Sequence, residues 1–199
     1  MIFNKFQRKF EIKIYDNIIR KLWKWVSQKG NDIKMELKVE KSKKEDCKEI
    51  TEFITKVWNE TYKDIINDNF LKLLKENEKK RAQNAINNFD KKNNLQYIIK
   101  KNNKIIAFLK LNKVDNEEKI EIQSLYVLKE YQNQGIGKYL LKIGFKEAKK
   151  MGYNEVFIGC LEKNKSNEFY KKMGGLFINK REFKLSNQTL YENVYKFNL

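Results

Sequence analysis

Apolar residues change along the chain between alternate spacing and a spacing of three to four, which predicts a series of strands and helices. Met35 to Val39 alternates like a short strand. A helix should follow, for which Ser42 and Glu45 offer a capping box. Its apolar residues recur at helical spacing: Ile50, Phe53, Ile54, Val57 and Trp58. A second helical stretch runs from about Asn69 to Phe89, and we predict that it completes a two-helix first half.

Three apolar runs in the middle of the chain predict a meander of strands. They cover Tyr97 to Lys100, Ile105 to Val114 and Ile120 to Leu128. Asn102 and Asn103 separate the first two runs, and asparagine suits the left-handed backbone of a tight hairpin turn. We therefore expect the first two strands to pair as a hairpin.

The last third of the chain continues to alternate between helix and strand. A helix is predicted from about Ile136 to Met151, where Gly152 stops it. The remaining elements are a buried strand, a short helix and two final strands, at Glu155 to Leu161, Ser166 to Met173, Phe177 to Leu185 and Thr189 to Phe197. The predicted fold class is α/β (α+β), with a mixed, mostly antiparallel sheet of about six to seven strands and about four helices.

Residues 1–32 differ from the rest and predict an N-terminal cationic amphipathic extension to a domain at 33–199. Residues 10–14 alternate like a strand, and residues 16–29 have the pattern of a capped amphipathic helix that ends before Gly30. Such a helix can dock on its own domain, on a partner subunit or on an anionic membrane surface. The sequence leaves these three alternatives open, and a homodimer is one of the expected arrangements.

The chain has 199 residues with no histidine and two cysteines, Cys47 and Cys160. Nucleophile systems that depend on histidine are therefore excluded. A closed zinc site is excluded as well, because two thiols cannot supply four ligands, so we predict no metal. Acid and base chemistry must come from carboxylates, tyrosines or lysines. The sparse cysteines, together with the lack of a signal peptide pattern or a long apolar run, predict a soluble protein of the reducing cytoplasm.

The formal net charge is +17, from 43 lysines and arginines against 26 acidic residues. A charge of this size suggests a polyanionic partner, such as nucleic acid or an anionic membrane. The lysines, however, are scattered along the whole chain and form no tight stripe. Contact with nucleic acid or membrane therefore stays an alternative that the charge pattern does not favour, and the same field would attract an anionic cofactor.

The sequence QNQGIG, at Gln132 to Gly137, lies between a predicted strand and a predicted helix. Gly135 and Gly137 allow the backbone to approach a phosphate, and the first turn of the helix offers unpaired N–H groups. A Rossmann site is excluded because the preceding strands form a meander. A Walker A loop is excluded because Tyr139, after Lys138, carries no aliphatic hydroxyl. A pyrophosphate fits such a loop, but the glycine pattern alone does not single it out, because short glycine patterns also occur by chance in turns and helix starts.

Over about residues 35–199 the chain resembles the GNAT superfamily of N-acetyltransferases. The family motif (Arg/Gln)-x-x-Gly-x-(Gly/Ala) is met by Gln132, Gly135 and Gly137, after the strand segment EIQSLYVLKEY. A second family segment is matched by NKSNEFYKKMGG at Asn164 to Gly175. Asn133 departs from the family pattern, since many members have glycine there, but asparagine tolerates left-handed φ. Ala107, on the third strand, also departs from the family pattern, since many members have glycine there too.

The resemblance implies an acetyl-CoA-dependent enzyme in which the amine attacks the thioester directly in a ternary complex. The backbone of Leu125, Tyr126 and Val127 would pair with the pantetheine arm and the acetyl carbonyl, and Asn164 would contact the pantetheine. The backbone amides that would hold the pyrophosphate are those of Gln132, Asn133, Gln134, Gly135, Ile136, Gly137 and Lys138.

Two residues take catalytic roles in this resemblance. Tyr170 matches the position that often protonates the departing thiolate, and a phenol with an ordinary pKa near 10 suits that task. Glu121 matches the position of a catalytic base in some members, with an ordered water as the alternative. If the strand alternates regularly, Glu121 shares a face with Leu125 and Val127, whereas a β-bulge would change that arrangement.

The sequence does not identify the acceptor amine. A polyamine, an amino sugar or antibiotic, an amino acid and a protein amine are all candidates. Two other classes of protein remain as alternatives to the enzyme: a module that binds acetyl-CoA without turnover, and a basic protein associated with nucleic acid or membrane.

Overall fold

The structure is a computed structural model and describes residues 37–90, 93–114 and 119–199. These residues contain seven strands: β1 (Val39–Lys41), β2 (Gln96–Lys101), β3 (Lys104–Val114), β4 (Lys119–Val127), β5 (Glu155–Leu161), β6 (Leu176–Leu185) and β7 (Gln188–Asn198). They also contain five α-helices: α1 (Cys47–Thr61), α2 (Asp68–Glu76), α3 (Glu78–Asn87), α4 (Ile136–Lys150) and α5 (Ser166–Lys172). The predicted extension at 1–32 and the first two residues of the predicted first strand lie outside the described residues.

The seven strands form one sheet in the order β1-β2-β3-β4-β5-β7-β6. Every neighbouring pair is antiparallel except β4 and β5, which run parallel. The predicted fold class is therefore confirmed. The predicted hairpin between β2 and β3 is also confirmed, since Asn102 and Asn103 have φ of 50° and 59°.

The two faces of the sheet are covered by different helices. Leu109 and Ile122 contact α4 at Gly144, where an added Cβ would lie 3.3 Å from Cδ1 of Ile122. Phe108 faces the other side and lines a cavity together with Ile54 of α1. Because successive strand residues point to opposite faces, α1 and α4 lie on opposite sides of β3 and β4. No helix in the described ranges is long and apolar enough to cross a membrane.

The predicted second helix is divided in two, which accounts for one helix more than expected. The break lies at Asn77, between α2 and α3. Both the backbone N–H and the side-chain Nδ2 of Asn77 donate to the Leu73 carbonyl oxygen, each at 2.9 Å. Asparagine side chains compete in this way with the hydrogen bonds that continue a helix. The helical spacing of apolar residues continues through the break, so the sequence pattern predicted a single helix.

The predicted capping box of Ser42 and Glu45 is wrong. The Ser42 hydroxyl accepts a hydrogen bond from Asn94 Nδ2 at 3.1 Å, so it is occupied by a residue distant in sequence. The carboxylate that caps the turn before α1 belongs to Asp46, which accepts from the Lys43 N–H at 2.7 Å. Lys100 Nζ lies 2.6 Å from the same carboxylate. Burial alone would raise the pKa of Asp46, but the hydrogen bonds and charges of Lys100 and Lys43 together lower it.

Candidate functional site

The parallel strands β4 and β5 separate soon after they meet. Their register contains one residue pair, Glu121 with Phe157. Beyond that pair a cavity of about 370 Å³ opens between the strands, and we call it the central cavity. Its walls come from β4, β5, the loop at 132–138 and α5. A parallel pair that stays together would leave no room for a ligand at this position.

The loop before α4 presents consecutive backbone N–H groups at one side of the central cavity. Asn133 and Gly135 both have left-handed φ, of 59° and 82°. Gly135 caps α4, since its carbonyl accepts the first helical hydrogen bond, from the Tyr139 N–H at 3.0 Å. No described residue accepts a hydrogen bond from the N–H groups of residues 133–138. Such a series of free donors at a helix N-terminus is an anion-binding geometry.

Side chains of the same loop hold it in place. Gln132 Nε2 donates to the Val127 carbonyl oxygen at 3.0 Å, which ties the loop to the end of β4. Gln134 Nε2 donates to the Glu130 carbonyl oxygen at 3.0 Å. The glutamine of the family motif therefore stabilises the loop through its side chain, while the backbone donors stay available. The sequence predicted only the backbone contribution of these two residues.

Tyr170 lies on α5 and lines the central cavity. Its side chain is buried, and its ring packs against Phe169 and Tyr195 at centroid distances of 5.2 and 5.9 Å. Burial, with smaller contributions from Cys160 and Tyr126, raises the pKa of Tyr170 well above the usual tyrosine range. No described residue hydrogen-bonds to its hydroxyl. The phenol is thus a protonated group in the wall of the cavity, but its pKa lies further from that of a thiol than the ordinary value on which the sequence argument relied.

Three further groups with high pKa values surround this part of the cavity. Burial raises the pKa of Tyr62 and of Tyr126, and the Tyr126 hydroxyl accepts from Trp58 Nε1 at 3.1 Å. Burial, with a smaller contribution from Glu192, raises the pKa of Cys160 to about 12. A thiol that stays protonated is a poor nucleophile. Cys160 is therefore a neutral group in the wall of this cavity.

Asn164 lies in the wall of the central cavity, as the predicted pantetheine contact requires. Its Oδ1 accepts from the Ser166 N–H at 2.8 Å and so caps the start of α5. No described residue accepts a hydrogen bond from its Nδ2. One side of the amide is therefore structural and the other is available to a ligand.

Asn167 positions α5 and was not singled out from the sequence. Its buried Nδ2 donates to the carbonyl oxygens of Leu161, Glu162 and Asn164, at 2.8, 3.1 and 2.6 Å. Its Oδ1 accepts from Asn193 Nδ2 and from the Tyr195 hydroxyl, at 3.0 and 2.9 Å. These bonds join the helix that carries Tyr170 to β5 and β7. Two of the five partners, Asn193 and Tyr195, lie on β7, which the local pattern around Asn167 does not reveal.

Replacing Asn167 with alanine should lower the free energy of unfolding by about 2 to 4 kcal/mol, because several buried polar groups lose their partners together. Denaturation in urea measures the change. Asn187→Ala is the matched control: Asn187 is exposed in the turn between β6 and β7, and its loss should cost less than about 0.5 kcal/mol. Equal effects of the two substitutions would contradict the structural role of Asn167.

A β-bulge interrupts β4 in the middle of the predicted cofactor strand. Lys110 of β3 pairs with Ser124, but the next residue, Leu111, pairs with Ile122. Gln123 is therefore an extra residue without a partner on β3. A bulge of this kind reverses which face each later residue points to.

The regular alternation on which the orientation of Glu121 depended does not hold. Ile122 contacts α4 at Gly144, and Val127, five residues later, lies 3.9 Å from the Cβ position of Gly137 on the same helix. Glu121 therefore points away from the face of Val127 and shares the face of Tyr126, on the side of α1. It is not among the residues that line the central cavity.

Glu121 belongs to an ionic cluster on that face of the sheet. Arg181 of β6 donates from Nη1 to the Glu121 carboxylate at 2.9 Å and from Nε to the Glu192 carboxylate at 2.6 Å. Arg181 reaches across β5 at Gly159, where an added Cβ would meet the Glu192 carboxylate. Gly159 also lines the central cavity, so the cluster lies beside it.

The sheet, the separated parallel strands and the loop of free N–H groups together define a mixed α/β fold with an anion-binding loop beside a cavity. The model of the acetyltransferase (GNAT) family matches residues 49–175, and the chain belongs to this family. The resemblance found in the motifs is thereby confirmed.

Solved structures share this fold at low sequence identity. PaiA N-acetyltransferase from Thermoplasma acidophilum, in complex with coenzyme A, is 24% identical with a TM-score of 0.65, over 82% of this chain and 99% of that one. A GNAT family acetyltransferase from Streptococcus pneumoniae is 17% identical with a TM-score of 0.59, over 82% and 99%. The ribosomal-protein-S18-alanine N-acetyltransferase from Escherichia coli is 16% identical with a TM-score of 0.56, over 81% and 93%.

Proposed function

We propose that the chain is an N-acetyltransferase that moves the acetyl group of acetyl-CoA to a primary amine by direct attack in a ternary complex. The observation that carries the proposal is the set of free N–H groups at residues 133–138 beside the central cavity. The coenzyme A held by the Thermoplasma acidophilum relative supports the same ligand here. The buried free thiols of Cys47 and Cys160 fit the reducing cytoplasm as its location.

The residues present fit the cofactor. The backbone amides of 133–138 would hold the pyrophosphate, and the open space at Gly135, with no atom within 4 Å of an added Cβ, leaves room for it. The backbone of Leu125, Tyr126 and Val127, where β5 has moved away, would hold the pantetheine arm together with Asn164. Each charge-assisted N–H bond contributes about 1.5 to 3 kcal/mol, so a few of them account for tight binding.

Bound acetyl-CoA supplies an activated thioester. The chain then supplies a proton donor for the sulfur that leaves, and we assign this role to Tyr170. Its hydroxyl is protonated, lies in the cavity wall and has no competing acceptor among the described residues. The amine must also lose a proton, and Glu121 or an ordered water is the proposed acceptor. Arg181 already occupies one oxygen of the Glu121 carboxylate, so a role for Glu121 requires its second oxygen or a water between it and the amine.

Glu121→Gln tests the base. If Glu121 accepts the amine proton, kcat/KM should fall by about a hundredfold, most steeply below the pKa of the amine, where more of the substrate arrives protonated. The matched control is Glu192→Gln, which removes the other carboxylate partner of Arg181. A pH–rate profile that changes equally in both variants, or in neither, would remove Glu121 as the base and leave the ordered water.

The proposed function is tested by release of free thiol from acetyl-CoA across a panel of primary amines, together with calorimetric titration of acetyl-CoA. Binding in the micromolar range and amine-dependent thiol release are expected. Binding without turnover of any amine would indicate a module that only holds acetyl-CoA. Absence of binding would contradict the assignment of the loop.

A further inference from the structure

A second cavity, of about 750 Å³, lies on the α1 side of the sheet, between α1, α3 and β3. We call it the α3 cavity. It shares Gln123 and Ser124 with the central cavity, so the two meet at the bulged part of β4. Bulges often re-aim strands next to active sites. The bulge of β4 thus lies between a site for the acetyl donor and a second chamber of sufficient size for a small molecule.

The wall of the α3 cavity is positively charged. Lys110 on β3 is half-buried there, and desolvation lowers the pKa of its ammonium group. No carboxylate among the described residues forms an ion pair with Lys110. A partly desolvated cation that no described carboxylate neutralises is costly, and an anionic ligand would offset that cost.

Arg81 on α3 adds a second cation to the same wall. Its Nη1 donates to Thr55 Oγ1 at 2.9 Å and to the Leu74 carbonyl oxygen at 3.3 Å, which fixes the guanidinium in position. Desolvation outweighs the charge of Glu78 and lowers the pKa of Arg81. Asp90, the acidic residue among the described residues of the wall, accepts a hydrogen bond from Asn93 Nδ2 at 2.7 Å.

We propose that the α3 cavity binds the anionic group of the acceptor, a carboxylate or a phosphate, with Lys110 as its counter-charge. This inference rests on the proposed function, since it names the class of amine that the enzyme acetylates. Lys110 pairs with Ser124 in the sheet. Tyr126, part of the proposed backbone site for the acetyl donor, lies two residues further along β4, at a distance of about 7 Å. An amine that is two or three atoms away from its anionic group spans that distance together with the reach of the lysine side chain.

The test compares four short primary amines of similar length: β-alanine, 2-aminoethyl phosphate, β-alanine amide and 1,3-diaminopropane. With the full chain and saturating acetyl-CoA, kcat/KM for at least one anionic amine should exceed that of the neutral amide and the diamine by about tenfold to a hundredfold. The preferred anionic amine then identifies carboxylate or phosphate as the source of the charge. Calorimetric titration of the same amines into the protein gives a readout that does not depend on turnover.

Lys110→Gln should reduce this preference by about tenfold or more and leave the Kd of acetyl-CoA unchanged. Lys142→Gln is the matched control, since Lys142 is an exposed lysine of α4 and should have no effect. A preference for the neutral or cationic amine, a preference that survives Lys110→Gln, or anionic amines that are neither bound nor acetylated would overturn the proposal. If the wild-type chain does not bind acetyl-CoA, the proposed function is contradicted instead. The amine titrations would still decide whether the α3 cavity binds anions.

Discussion

Gly135→Val should raise the Kd of acetyl-CoA by a hundredfold or more. The added side chain would project into the open space beside the free N–H groups, where the pyrophosphate is expected. Loss of two charge-assisted hydrogen bonds corresponds to about 3 to 6 kcal/mol, which is more than two orders of magnitude in affinity. Calorimetric titration measures the change directly.

Backbone strain must be separated from this effect, because Gly135 has φ of 82° and valine is disfavoured there. Gly152 provides the matched control. It follows α4, has φ of 89°, and likewise has no atom within 4 Å of an added Cβ. Gly152→Val should therefore cost similar stability and leave the Kd unchanged. If the two variants bind acetyl-CoA equally well, the loop at 133–138 is not the pyrophosphate site.

Tyr170→Phe should lower kcat by about a hundredfold to a thousandfold while the Kd of acetyl-CoA stays nearly constant. The ring keeps its contacts with Phe169 and Tyr195, and no described residue loses a hydrogen bond, so the fold should be unaffected. Steady-state kinetics and calorimetry of the same preparation separate the two quantities.

Tyr195→Phe is the control for Tyr170. The Tyr195 hydroxyl donates to Asn167 at 2.9 Å, so its removal should mainly lower the free energy of unfolding and have a smaller effect on kcat. The pH dependence adds a further check: because burial raises the pKa of Tyr170, its proton is retained above the usual tyrosine range. The kcat of the wild type should consequently show no alkaline fall near pH 10. Normal turnover by Tyr170→Phe would return this tyrosine to a purely structural role.

Local signals in the sequence were sufficient for most of the fold. The paired asparagines at Asn102 and Asn103 predicted the hairpin because few other residues tolerate its left-handed backbone. The boundaries of β5 were predicted to the residue. The loop at 132–137 was located because its glycines, its helix start and its family motif coincide in one short segment. Each of these features depends on neighbours in the chain.

The features that the sequence did not reveal depend on contacts between distant residues. The bulge at Gln123 is a property of the pairing between two strands, and β4 alone shows no sign of it. Arg181 and Glu121 are 60 residues apart, so their ion pair could not be anticipated from spacing. Asn167 reads as one asparagine among many until β7 is placed beside it. These same contacts decide the face of the proposed base and the position of α5.

The hydrogen-bond donors of the loop beside the central cavity are backbone N–H groups. Anion binding by this loop therefore depends on its backbone conformation more than on its side chains. Alanine at Gly137 or Lys138 would leave both N–H groups in place, and we expect such variants to bind the ligand almost as well as the wild type. We expect substitutions of the exposed side chains in this segment to be tolerated as long as Asn133 and Gly135 keep their left-handed turns and Gln132 keeps the loop on β4. If the loop binds the pyrophosphate, its affinity should therefore depend on backbone conformation more than on the identity of these exposed side chains.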